Sequence, residues 1–78
     1  MRTIREKWES YLARVVPPGA SPTQVTETRR AFYGGALSLL DIVRQLPADM
    51  DDDAGVAELQ ALYDECRAFH KQVVEGEA

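Results

Sequence analysis

Residues 21–46, SPTQVTETRRAFYGGALSLLDIVRQL, decide the fold of this 78-residue chain. Ser21 is a good helix N-cap, Pro22 suits the first helical position, and Gln24 completes a capping box. Polar residues then follow one narrow stripe: Glu27, Arg30, Gly34, Ser38, Asp41 and Gln45. Most of the remaining circumference is apolar, and a helix of that kind is buried on several sides. We therefore predict a helix from Pro22 to Leu46 in a homo-oligomer, most simply a two-fold dimer.

Two further helices flank this segment. Thr3 and Glu6 form a capping-box pattern before apolar residues spaced three and four apart, which predicts a helix from Thr3 to Val16. The apolar residues of that helix are Ile4, Trp8, Tyr11, Leu12, Val15 and Val16. A third helix is predicted from Asp53 to Glu75, where aspartates at the start suit the positive end of the helix dipole. Its apolar stripe comprises Leu59, Leu62, Cys66, Phe69 and Val73.

The predicted fold class is all-α, with one helical domain over residues 1–78. Pro17–Gly19 and Leu46–Ala48 break the chain between the helices. We expect the second and third helices to form a long antiparallel hairpin, with the shorter first helix packed across it. A core this small is marginal, and a single cysteine allows no disulfide within the chain, so association with other chains is expected.

The charge is unevenly distributed along the chain. Residues 1–46 contain seven basic and four acidic residues, a net +3, whereas residues 47–78 contain two basic and nine acidic residues, a net −7. Either the two halves neutralise each other or the acidic tail faces a basic partner. An acidic protein without a basic stripe is a poor candidate for binding nucleic acid. No stretch resembles a signal peptide or a membrane span, so we expect a cytoplasmic protein without a membrane partner.

The candidate binding residues are Arg29, Arg30, Tyr33, Gly34 and, from the first helix, Tyr11. The two arginines offer planar donor forks for phosphates or carboxylates, and the tyrosines offer aromatic faces. This set suits an anionic, nucleotide-like ligand held between subunits. The alternative is structural: Arg30 pairs with Glu27 or with an acid of the third helix, and the tyrosines pack with their hydroxyls at the edge.

Gly34 and Gly35 lie inside a helix, where each costs about 0.8–1 kcal/mol relative to alanine. They indicate a close helix–helix crossing or a slight kink, or else a ligand lying against the bare backbone.

Cys66 and His70 share a helical face, but two ligands make no zinc site, and a core cysteine beside a boundary histidine is the preferred interpretation. The aspartates from Asp49 lack the glycine and glutamate of a calcium loop. We predict no metal, no cofactor and no catalytic residue.

The stretch from Trp8 to Leu40, WESYLARVVPPGASPTQVTETRRAFYGGALSLL, resembles a recurring segment of small proteins of tailed phages and prophages that have no defined activity. The shared features are Trp8 and Tyr11, the turn at Pro17–Ser21, and the block Glu27–Tyr33. Two adjacent glycines stand where alternation with alanine is expected. The resemblance covers under half of the chain and implies an origin. Small non-enzymatic phage proteins commonly act by binding, for example by blocking a host defence.

Three functional hypotheses follow, none of them an enzyme. The first is a phage-type accessory protein that acts by binding, as a counter-defence inhibitor of a host protein. The second is an oligomeric sponge for a small anionic signalling nucleotide. The third is a structural or scaffolding helical oligomer.

Overall fold

The computed structural model describes residues 2–78. It contains three α-helices and no strand in that range: α1 (Ile4–Arg14), α2 (Pro22–Arg44) and α3 (Asp52–Val74). The all-α class is confirmed, and every predicted helix end lies within two residues of the observed one.

At both predicted capping boxes a hydroxyl side chain caps the helix N-terminus. The Glu6 amide donates to the Thr3 hydroxyl at 3.1 Å, which satisfies one free N–H of α1. At the start of α2 the exchange is reciprocal. The Gln24 amide donates to the Ser21 hydroxyl at 3.1 Å, and the Ser21 amide donates to Gln24 Oε1 at 2.7 Å.

Helix α3 is capped at both ends by its own local residues. The Asp51 carboxylate accepts from the Ala54 amide at 2.7 Å, so one of the aspartates is a helix cap. At the other end Gly76 has a φ of 76°. The Glu77 amide donates to the Gln72 carbonyl at 2.8 Å and the Gly76 amide to the Val73 carbonyl at 3.1 Å, which together form a Schellman motif. Gly76 thus supplies the glycine C-cap of α3.

The chain divides into two compact units, and the first (Met1–Ile42) contains the packing of α1 on α2. Three aromatic rings hold these helices together. The Phe32 ring centroid lies 5.6 Å from that of Trp8 and 5.3 Å from that of Tyr11, and Trp8 lies 6.1 Å from Tyr11. Among residues 2–78, Trp8 is the only buried hydrophobic residue, with 4% of its surface exposed. This burial agrees with the place of Trp8 among the apolar residues of the first helix.

The second unit (Val43–Ala78) contains α3, which has no buried residue. The stripe predicted to be apolar core is largely open: Leu59 is 47%, Phe69 60% and Val73 46% exposed. Cys66 lies on this stripe and is exposed as a free thiol, so its interpretation as a core cysteine is wrong for the single chain. Periodicity shows which residues share a helical face, but only a packing partner makes such a face a core.

The mid-helix glycines also differ from expectation. A β-carbon placed at Gly34 or Gly35 would meet no atom within 4 Å across the described residues. The predicted close crossing at these glycines is therefore wrong within the chain, because no neighbouring element packs against their backbone there. Finally, no helix within residues 2–78 is long and apolar enough to cross a membrane.

Candidate functional site

A groove of about 590 Å³ lies between α1 and α2, in the first unit. It contains three of the five candidate residues, Arg29, Arg30 and Tyr33. The remaining lining residues are Trp8 and Leu12 from α1 and Val25 and Thr26 from α2. We call this concavity the arginine groove. Its helices are positioned by the aromatic cluster around Trp8, so the groove is built on the most buried part of the described chain.

Arg29 is oriented by the aromatic ring one turn further along α2. Its guanidinium carbon lies 5.6 Å from the centroid of the Tyr33 ring, a cation–π geometry. Tyr33 in turn meets Phe32 edge-on, with centroids 6.2 Å apart. The ring that holds Arg29 is thereby tied to the aromatic cluster. This arrangement keeps one guanidinium group at the groove, over an aromatic ring.

Arg30 pairs with Glu27, as the structural alternative expected. Its Nη1 lies 3.3 Å from Glu27 Oε1, and the two side chains are 74% and 64% exposed. An ion pair this open to water is weak. The contact uses one nitrogen of a guanidinium that carries five N–H donors, so pairing with Glu27 leaves Arg30 able to bind an anion.

The other two candidates lie outside the arginine groove. Tyr11 is half-buried among the rings of Trp8 and Phe32 and lines a second concavity of about 670 Å³ beside the α1–α2 turn. Gly34 is exposed on α2 and lines neither groove. Tyr11 therefore acts here as a packing residue, and of the five candidates only Arg29, Arg30 and Tyr33 share one concavity.

Four groove residues were not predicted as site residues: Trp8, Leu12, Val25 and Thr26. A signal for three of them is present in the sequence. Trp8 and Leu12 are one helical turn apart, and so are Val25 and Arg29, so each pair faces one side of its helix. What the sequence does not contain is the pairing of those two faces, because it depends on how α1 crosses α2.

No group of three or more His, Cys, Asp or Glu side chains among residues 2–78 is arranged to hold a metal ion. In comparisons with known proteins, no family model, curated protein or solved structure matches the chain. Two guanidinium groups beside aromatic rings and an apolar floor suit a ligand that is both anionic and planar.

Proposed function

We propose that the protein acts by binding rather than by catalysis, and that its ligand in the arginine groove is a small anionic nucleotide. One observation supports this: Arg29, Arg30 and Tyr33 line one concavity together with Trp8. A volume of about 590 Å³ falls within the range of small-molecule sites. The function is then that of a sponge, which removes a signalling nucleotide from solution without changing it.

The chemistry of each lining residue fits a part of such a ligand. Guanidinium groups bind phosphate oxygens through parallel, charge-assisted hydrogen bonds. The Tyr33 ring offers a face for stacking by a planar base. Leu12 and Val25 supply apolar surface against which the base or sugar is removed from water.

Self-association is part of the same proposal. Large apolar residues along α2 are exposed in the single chain, among them Leu37 at 62% and Leu40 at 52%. Several large apolar side chains exposed along one helix are typical of an interaction site. We infer that copies of the chain cover these surfaces in a homo-oligomer that carries several arginine grooves.

Thermal unfolding with a panel of mono-, di- and cyclic nucleotides tests the nucleotide proposal. A nucleotide at 100 times its dissociation constant stabilises the protein by about 2.7 kcal/mol, which appears as a raised melting temperature. Arg30→Ala should abolish that shift while changing the stability of the free protein by about 1 kcal/mol or less. Arg14→Ala, which removes an α1 arginine outside the groove, is the matched control and should keep the shift. If no nucleotide raises the melting temperature, the sponge function is wrong.

A second function is favoured by the open face of α3. Its exposed stripe, together with the acidic character of residues 47–78, suits a basic protein partner, as a phage-type inhibitor of a host protein would need. Under this proposal Phe69→Asp should abolish capture of a purified host partner, because it places a charge in the middle of the apolar stripe. Arg30→Ala should leave capture unchanged. The reverse pattern would assign recognition to the arginine groove.

A further inference from the structure

On one face of α2 the spacing of the residues is the same when it is followed from either end. Its members follow the helix in steps of three, four, three, four and three residues: Glu27, Arg30, Gly34, Leu37, Asp41 and Arg44. That spacing keeps all six on one side of a helix. We call them the docking face. Its centre lies between Gly34 and Leu37, and its charges are ordered acid, base, then acid, base.

We propose that the docking face binds the docking face of a second copy of this chain, with the two α2 helices antiparallel and related by a two-fold axis at the centre of the pattern. In that register Glu27 lies opposite Arg44 of the partner subunit, and Arg30 lies opposite Asp41 of the partner subunit. The symmetry repeats each pair, so four pairs of opposite charge flank the centre. This proposal deepens the proposed self-association and does not depend on the nucleotide.

The order of the charges selects the antiparallel orientation. In a parallel pair of identical helices in register, each residue lies opposite its own copy, so that Glu27 and Arg30 would both face like charges. Like charges at an interface disfavour the arrangement that brings them together. Antiparallel pairing converts every one of these repulsions into an attraction.

The centre of the docking face combines a large exposed side chain with a residue that has no side chain. Leu37 is 62% exposed, and a β-carbon at Gly34 would find open space. In the proposed register, Leu37 of the partner subunit packs against the backbone of Gly34, where no side chain stands in its way. This assigns a purpose to a glycine that has no packing role within the chain.

The charged members of the docking face already make contacts within the single chain. Arg30 and Glu27 are paired with each other, and both Asp41 and Arg44 take part in interactions of their own. Docking therefore extends existing contacts across the two-fold axis. Because Arg30 also lines the arginine groove, each groove lies at the border of the proposed interface.

Sedimentation equilibrium of the full chain without nucleotide tests the face. Leu37→Glu should raise the dissociation constant of the dimer by about tenfold or more, since it buries a charge at the centre of the interface. Val74→Glu is the matched control, because Val74 is 71% exposed and lies on α3. Its dissociation constant should stay at the parent value. A parent protein that remains a monomer, or a dimer that Leu37→Glu leaves intact, would overturn the proposal.

A charge exchange tests the register. Glu27→Arg alone and Arg44→Glu alone each place like charges opposite one another and should weaken the dimer. The double variant restores opposite charges and should recover most of the parent affinity. Circular dichroism at each step verifies that α2 is intact. If the double variant is weaker than both single variants, the antiparallel register is wrong, although self-association through another face would still stand.

Discussion

The helices α1 and α2 meet around a buried tryptophan, whereas α3 has no buried residue. Both regions have equally good local signals, with side-chain caps and apolar residues at helical spacing. They differ in tertiary contacts: the rings of Tyr11 and Phe32, from two helices, pack on Trp8, whereas the α3 stripe is largely exposed. Helix formation and burial are thus separate properties here. The first depends on neighbours in sequence, and the second depends on a packing partner.

The largest expected effect is at the centre of the packed region. Trp8→Ala should reduce the free energy of unfolding by about 3–5 kcal/mol, because it leaves a cavity where the rings of Tyr11 and Phe32 now have a partner. Urea unfolding followed by circular dichroism measures the change. For a chain of this size such a loss is a large part of the total stability.

Phe69→Ala is the comparison on α3. The Phe69 side chain is 60% exposed, so its loss should cost well under 1 kcal/mol in dilute protein. If Phe69→Ala costs as much as Trp8→Ala, the contrast between the two regions is broken, and α3 must be packed against another surface in solution.

Intermediate effects are expected at the helix caps, and they should be alike in both regions. Ser21→Ala and Asp51→Ala each remove a side-chain acceptor from a helix N-terminus, at a cost of about 1 kcal/mol. Denaturant titration of both variants measures the costs side by side. Equal values would show that local helix signals act independently of packing. A negligible effect at Asp51 alone would mean that the start of α3 frays.

These contrasts explain which features the sequence predicted. The capping pairs Thr3–Glu6 and Ser21–Gln24 involve residues three apart, so the helix starts could be predicted from the sequence. Arg29, Arg30 and Tyr33 were predicted as a set because their side-chain chemistry is concentrated within five residues of one helix, and the structure places all three in one groove. Burial could not be predicted from local sequence: Cys66 was expected in a core and is exposed. The same limit separated Tyr11 from the arginines, since its place depends on how α1 crosses α2. The antiparallel pairing of α2 with α3 and the single domain stay predictions.

A smaller effect of opposite sign is expected at Gly35. Gly35→Ala should stabilise the chain by about 0.8–1 kcal/mol, because alanine is the better helix former and its β-carbon meets no atom within 4 Å. Thermal unfolding at two protein concentrations measures this. Gly34→Ala should give the same gain in dilute protein but lower the affinity of the dimer. A destabilising Gly35→Ala would show that another chain packs against this backbone.

The smallest effect is expected at the Glu27–Arg30 ion pair. A double-mutant cycle with Glu27→Gln and Arg30→Gln should give a coupling of about 0.2–0.5 kcal/mol, as for other exposed pairs on one helix. The cycle is measured by urea unfolding in the Leu37→Glu background, where the docking face is blocked. Added salt should reduce the coupling, because water and ions reach both side chains. A coupling above about 1 kcal/mol that salt leaves unchanged would mean that the pair is shielded from water. The side of α2 that carries Glu27 and Arg30 would then be packed, as the surroundings of Trp8 are. It would no longer count among the exposed regions of the chain.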